Sequence, residues 1–174
     1  MIMNRLTTPS VATTLLLNLC TVLFVGSAIA QSPKEQLIGA WTLVSADSVR
    51  PDGSRVEAFG SNPRGIMIFS HDGYFALVQM RAELPKIAAN SRDKGTPEEN
   101  KAIVAGSIAY FGTYSINEAD KVMTLKLAGT TYSNLLGGGD QKRIITSLTP
   151  DELKFTNPKN PSGATLEVGW KRAK

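Results

Sequence analysis

Residues 64–80, RGIMIFSHDGYFALVQM, contain the strand–turn–strand pattern from which the fold of this chain can be argued. The first seven residues are nearly all apolar, which is typical of a β-strand buried on both faces. His71-Asp72-Gly73 follows, and Asp-Gly supplies the positive φ angles that a tight hairpin requires. Tyr74 then begins a second segment of strand length. We therefore predict an antiparallel hairpin at this place.

Similar turn signals recur at short intervals along the chain. Pro51–Gly53, Asn117–Asp120 and Thr149–Glu152 each separate apolar or alternating segments of strand length. Several of these segments alternate with a period of two, as residues 165–171 do near the end. The pattern predicts eight or nine strands joined mostly as sequential hairpins, which is typical of an up-and-down barrel or a sandwich.

One segment departs from the β pattern. Thr96 is a favourable N-cap, Pro97 suits the first helical position, and Glu98 and Glu99 follow in the first turn. We predict a short helix of two to three turns running to about Ser107. Residues 83–95 before it are expected to form a loop.

Residues 1–30 carry the signature of a secretory signal peptide. One cation, Arg5, precedes a mostly apolar run from Val11 to Val25. Ala28-Ile29-Ala30 has the small-x-small form that signal peptidase accepts. We predict cleavage before Gln31, so that residues 31–174 form one domain that is periplasmic or secreted.

Two alternatives involve the same segment. An uncleaved membrane anchor is disfavoured because the apolar run is short for the ~20 residues of a spanning helix and contains Asn18. A lipidated N-terminus would use Cys20, but Leu19 stands where a lipobox requires a small residue. We therefore expect no membrane insertion of the mature chain.

The inventory of reactive side chains disfavours several classes of function. The chain has one cysteine, Cys20, which leaves with the predicted signal peptide, and one histidine, His71, which falls in a hairpin turn. Thiol chemistry, a histidine-based triad and a zinc site therefore lack their groups, and we predict neither a metal nor a cofactor. The net charge of +4 is scattered without a basic run, so no nucleic-acid partner is expected.

Several spaced motifs resemble the bacterial lipocalin-like domain family, a calycin-type barrel. They are Gly39-Ala40-Trp41, residues 63–69 leading into Asp72-Gly73-Tyr74, Tyr110–Tyr114, Gln141–Arg143 and Gly169–Arg172. The resemblance implies a single antiparallel barrel of eight to ten strands with an internal pocket and one short accessory helix near an opening. Many relatives carry histidine in the strand that matches residues 122–128, whereas this chain has Thr124 and Leu125 there.

Two arginines are candidates for different roles in such a barrel. Gln141, Arg143 and Ile145 share one face of a strand. If that face points inward, Arg143 could hold a ligand carboxylate bidentately. In calycins an arginine from a late strand packs across the Gly-x-Trp tryptophan, and both Arg143 and Arg172 qualify for that part, with Arg172 favoured.

Aromatic and other side chains complete the predicted sites. The residues predicted to bind a ligand are Tyr74, Met80, Tyr110, Tyr114, Gln141 and Arg143. Those predicted to close the barrel are Gly39, Trp41, Trp170 and Arg172. Plain core packing is the alternative for the aromatic members, because aromatic side chains on barrel strands commonly fill the core.

Three functions fit this sequence. The leading hypothesis is binding of a small hydrophobic molecule in the barrel interior. The second is an enzyme of the isomerase or cyclase type on the same scaffold, with Tyr110, Tyr114 or Arg143 as proton donor or electrostatic stabiliser. The third is an interaction protein with a filled barrel that uses residues 83–95 and the helix as its contact surface.

Overall fold

The computed structural model describes residues 31–158 and 163–174, and the predicted signal peptide lies outside this part. The described residues contain nine strands and two α-helices. The strands are β1 (Gly39–Val49), β2 (Arg55–Glu57), β3 (Arg64–Phe69), β4 (Tyr74–Met80), β5 (Ser107–Asn117), β6 (Val122–Thr130), β7 (Gln141–Leu148), β8 (Glu152–Asn157) and β9 (Thr165–Arg172). The helices are α1 (Pro33–Leu37) and α2 (Pro97–Ala105). Neither has the length and apolar character that crossing a membrane requires.

The strands form one closed antiparallel barrel. From β3 to β9 each strand pairs with the next, and β1 pairs with both β3 and β9. The long β1 closes the barrel through pairs that run from Trp41–Arg172 to Val49–Thr165. The short β2 pairs only with the end of β1, so eight of the nine described strands make the barrel. The predicted all-β, up-and-down barrel is confirmed.

The predicted turns and the accessory helix lie where the sequence places them. Gly53 and Gly73 have φ angles of 82° and 88°, the left-handed values for which glycine is favoured in tight turns. Thr96 caps α2, accepting from the Glu99 amide while the Glu99 carboxylate accepts from the Thr96 amide. This reciprocal pair is a capping box.

Helix α1 was not predicted, although its sequence carries the same signal. Ser32 caps it, and Glu35 completes a second capping box, with Pro33 at the first helical position. The helix is only five residues long, so no hydrophobic periodicity accompanies the cap.

Side chains alternate between a buried interior and an outer face. Met67, Phe69, Phe75 and Leu77 on β3 and β4 are buried in the core. Ile66 and Ile68, which alternate with them, are 41% and 44% exposed. The prediction that residues 64–70 form a strand buried on both faces was therefore wrong, because no described element covers the outer face of β3.

One end of the barrel is closed by contacts between the first and last strands. The Arg172 guanidinium carbon lies 3.8 Å from the centroid of the Trp41 ring. The Trp41 indole N–H donates to the Leu37 carbonyl at 2.8 Å, which ties α1 across this end. Gly39 has a φ of +115°, and a Cβ there would lie 3.1 Å from Arg172 Nη1. The buried Trp170 also lies on β9, where it pairs with Leu43 of β1.

Candidate ligand site at the open end of the barrel

The opposite end of the barrel contains a cavity of about 730 Å³, which we call the mouth cavity. It lies where β1, β8 and β9 meet the start of β7. Its lining residues are Ser48, Ala58, Leu135, Asp140, Gln141, Lys142, Arg143, Asn157, Pro158, Ala164, Thr165 and Leu166.

Inward-facing positions of four strands contribute to this lining. Arg143 pairs with the buried Met123 on β6. On the other side Ile144 pairs with Thr156, so Asn157 is the inward neighbour of Arg143 on β8. Asn157 in turn pairs with Leu166. The mouth cavity is therefore continuous with the inner face of the sheet, because alternate residues of a strand point to the same face.

Arg143 is the principal charged group of this site. It is only 5% exposed. Its Nη1 donates to the Lys142 carbonyl at 2.8 Å, and its Nη2 lies 3.5 Å from the Tyr110 hydroxyl oxygen. Its Nε is buried and has no hydrogen-bond partner among the described residues. Within residues 31–158 and 163–174, no carboxylate forms an ion pair with this guanidinium.

Other buried polar atoms also have no partner. Within the described part of the chain, Oδ1 of Asn157, beside Arg143, accepts no hydrogen bond and Nε1 of Trp170 donates none. Trp170 is 1% exposed and pairs with Leu43 and Leu153 in the core. Arg143 and Asn157 both line the mouth cavity, whereas Trp170 does not. Buried polar groups in proteins are nearly always hydrogen-bonded, so the two unpartnered atoms on the cavity wall are the notable ones.

Tyr110 and Gln141 lie close to Arg143. Tyr110 is buried, its hydroxyl faces the guanidinium, and its ring packs edge-on against Phe75 at 6.0 Å. Gln141 is partly buried and lines the mouth cavity, with its amide nitrogen 3.3 Å from the Gly139 carbonyl. The structure therefore brings together Tyr110, Gln141 and Arg143.

Tyr114 is in the barrel but at the other end. Its hydroxyl donates to the Ser70 carbonyl at 2.9 Å, and its ring meets Phe69 edge-on at 4.8 Å. Burial, with a smaller contribution from Asp72, raises the pKa of this phenol. Its hydroxyl is therefore neutral and already engaged, which is a structural role.

Tyr74 and Met80 do not line the interior. Tyr74 is 60% exposed, and Met80 shares its side of β4. On that strand Phe75, Leu77 and Gln79 are the inward-facing residues. The prediction of both residues as pocket residues was wrong. Side chains of a strand alternate between its two faces, so Tyr74 and Met80, each next to an inward-facing residue, point outward.

Gln79 was missed by the sequence analysis. It is 4% exposed and pairs with Gly65 and Ile108. Gln79 is two residues after Leu77 and four after Phe75, so strand alternation places it on the same inward face. This spacing could have indicated a buried polar residue at the end of β4 nearer the mouth cavity. Like Arg143, it is a buried polar side chain at an inward-facing strand position.

The described residues offer few other reactive groups. No group of three or more histidine, cysteine, aspartate or glutamate side chains within them could hold a metal ion. His71 is exposed in the turn between β3 and β4.

Residues 38–173 match the family described as the lipocalin-like domain. The chain belongs to this family. The lipocalin-like fold commonly binds small hydrophobic ligands. A comparison with curated proteins finds no match.

Solved β-barrels resemble this lipocalin-like domain in fold. A redesigned β-barrel is 16% identical, with a TM-score of 0.43, covering 83% of this chain and 98% of its own. Another redesigned β-barrel, bound to DFHBI, is 16% identical with a TM-score of 0.40, covering 82% and 100%. A deswapped triple mutant of bovine odorant binding protein is 14% identical with a TM-score of 0.40, covering 79% and 74%. These similarities concern the fold alone.

Proposed function

We propose that this lipocalin-like domain binds a small, largely apolar molecule that enters the barrel through the mouth cavity. The observation that carries the proposal is the cavity of about 730 Å³ at the end of the barrel opposite Trp41. Arg143 and Asn157 on its wall have buried polar atoms without partners among the described residues. Its volume falls within the roughly 300–1,000 Å³ of small-molecule sites.

The chemistry of the walls supports a mostly apolar ligand with few polar contacts. Ala58 and Leu166 line the cavity and pack against the hydrophobic core. Polar contacts would come from Gln141, Arg143 and Asn157, and the cavity rim also carries Asp140 and Lys142. A few oriented polar groups in an apolar wall fix how a ligand lies, whereas the apolar area supplies most of the affinity.

A neutral fluorescent probe tests this proposal without assuming any charged group on the ligand. N-phenyl-1-naphthylamine is titrated into the mature protein, and we expect saturable fluorescence enhancement. Leu166→Trp narrows the mouth cavity and should weaken binding about tenfold or more, because an overfilled site excludes the probe. Ile144→Trp is the matched control, since Ile144 lies on the outer face and is 45% exposed.

Two results would contradict the proposal. One is the absence of saturable binding by this probe, combined with no retained small molecule in native mass spectra of protein purified from its source. The other is equal probe affinity in wild type and Leu166→Trp, with both proteins folded by circular dichroism.

We also propose that the protein is exported, with cleavage before Gln31. Ala28-Ile29-Ala30 after the apolar run supports this proposal. The intact mass of the protein recovered from the periplasm or the medium should start at Gln31. Replacing Ala28 and Ala30 together by arginine should leave uncleaved precursor, whereas unchanged processing or cytoplasmic retention of the wild type contradicts export.

A further inference from the structure

We infer that the ligand carries a carboxylate and that Arg143 binds it side-on, through Nε and Nη2. This inference rests on the proposed binding function and specifies the class of molecule. It assigns to the mouth cavity an amphipathic acid, with an apolar body in the barrel and an acid group at Arg143.

The hydrogen bonds of Arg143 leave one edge of its guanidinium without a strong partner among the described residues, although Nε on that edge is itself enclosed by protein. Nη1 is engaged with the Lys142 carbonyl at 2.8 Å. Nε has no partner among residues 31–158 and 163–174. Nη2 lies as far as 3.5 Å from the Tyr110 hydroxyl oxygen, which is the weak limit of a hydrogen bond. Nε–H and the adjacent N–H of Nη2 point in parallel, which is the fork that receives the two oxygens of a carboxylate.

The charge of this group supports the same ligand. The Arg143 guanidinium is a cationic group that is 5% exposed and forms no ion pair with any carboxylate of the described residues. A buried charge is costly unless it is paired. A ligand acid supplies the missing partner, whereas a neutral ligand leaves the charge unpaired.

Tyr110 is placed to assist this recognition. Its hydroxyl oxygen accepts from Nη2, so its own O–H remains available to donate. Within the described part of the chain that O–H has no hydrogen-bond acceptor. A carboxylate oxygen on the Arg143 fork would therefore lie near a second donor, the Tyr110 O–H. A neutral hydroxyl or ester would accept a weaker hydrogen bond from it than a carboxylate does.

Matched ligands that differ only in the head group test the inference. Dodecanoate, methyl dodecanoate and dodecanol are measured by displacement of N-phenyl-1-naphthylamine, all below their critical micelle concentrations. We expect wild type to bind dodecanoate about 10- to 100-fold more tightly than the two neutral molecules, as charge-assisted hydrogen bonds predict. Arg143→Met should abolish this preference and leave the neutral affinities within about twofold.

Two further variants separate recognition from general charge effects. Arg143→Lys keeps the charge but loses the fork, and should recover only part of the preference. Arg64→Met removes an exposed arginine outside the mouth cavity and should retain the wild-type preference. Thermal unfolding establishes that each variant is folded, and unliganded Arg143→Met should melt no lower than wild type because an unpaired buried charge is gone.

The outcomes distinguish this inference from the proposed function. If the probe binds but dodecanoate and dodecanol compete equally in wild type, the inference is wrong and the binding function stands. If acid preference survives in folded Arg143→Met, the inference is also wrong, because another group supplies the recognition. If neither probe nor any of the three molecules binds, the proposed function itself fails.

Discussion

The Arg172 guanidinium stacks on the Trp41 indole at 3.8 Å and at the same time donates to three backbone carbonyls. Nη1 and Nη2 bind the carbonyls of Ile38 and Gln36 at 2.7 and 2.6 Å, and Nε binds that of Pro150 at 2.9 Å. The C-terminal carbonyls of a helix have no partner within the helix. A residue of the last strand therefore caps α1 and fastens the first strand to it.

Replacing Arg172 should destabilise the barrel. We expect Arg172→Met to lower the free energy of unfolding by about 2–4 kcal/mol, since it removes a cation–π contact and leaves carbonyls unpaired. Lys171→Met, at an exposed neighbour on β9, is the control and should change stability by less than about 0.5 kcal/mol. Urea unfolding followed by tryptophan fluorescence measures both, and equal stabilities would contradict this role for Arg172.

Gly39 should not tolerate a side chain. Its φ of +115° is strained for any other residue, and a Cβ would lie 3.1 Å from Arg172 Nη1. We expect Gly39→Ala to cost about 1–3 kcal/mol. Gly138→Ala is the control, because the nearest atom to its Cβ would be 3.7 Å away. If Gly39→Ala and Gly138→Ala both unfold at the same urea concentration as wild type, the contact between β1 and Arg172 does not require a glycine at position 39.

Adjacent residues of β3 should respond in opposite ways to truncation. Met67 is fully buried, and Met67→Ala should cost about 2–5 kcal/mol. Ile66 faces outward with 41% exposure, so Ile66→Ala should cost less than about 1 kcal/mol. Chemical denaturation of the two variants measures both losses. If Ile66→Ala destabilised the protein more than Met67→Ala, Ile66 rather than Met67 would face the core, and the described strand register would be wrong.

The carboxylate of Glu99 should link the 83–95 loop to α2 in a pH-dependent way. Hydrogen bonds from the amides of Ala88 and Thr96 hold the pKa of Glu99 below its ordinary value of 4.5. A lowered pKa means that these contacts are intact above 4.5 and are lost as the pH falls through the lowered value.

The amide resonance of Ala88 reports on this contact. In wild type it should titrate with a midpoint below 4.5, and in Glu99→Gln that transition should disappear. Glu98→Gln is the matched control because Glu98 is the exposed neighbour on α2. A midpoint at or above 4.5 in wild type would contradict the predicted direction.

Much of the barrel follows from local sequence signals. Asp-Gly turns, a threonine N-cap followed by proline, and apolar residues at every second position act within a few residues, so they can be read directly. Helix α1 has an equally local capping signal in Ser32 and Glu35, and only its short length separated it from the predicted helix.

The site could be predicted in part. The shared face of Gln141, Arg143 and Ile145 follows from strand alternation, and the structure turns that face inward. Tyr74 and Met80 were assigned to the pocket because of their residue types. They lie on the outer face because of how β4 pairs with β3 and β5. Residue type alone does not determine which set of alternate residues points inward.

Taken by itself, the sequence determined the alternation of strands and turns, the cap of α2 and which residues share a face of each strand. Only the tertiary structure decided that Arg172, rather than Arg143, stacks on Trp41, and that Arg143 is buried without an ion pair in the described part of the chain. Strand periodicity specifies relative faces within one segment. Which face is interior, and which arginine meets the tryptophan, depends on pairing between the first and last strands across the whole domain.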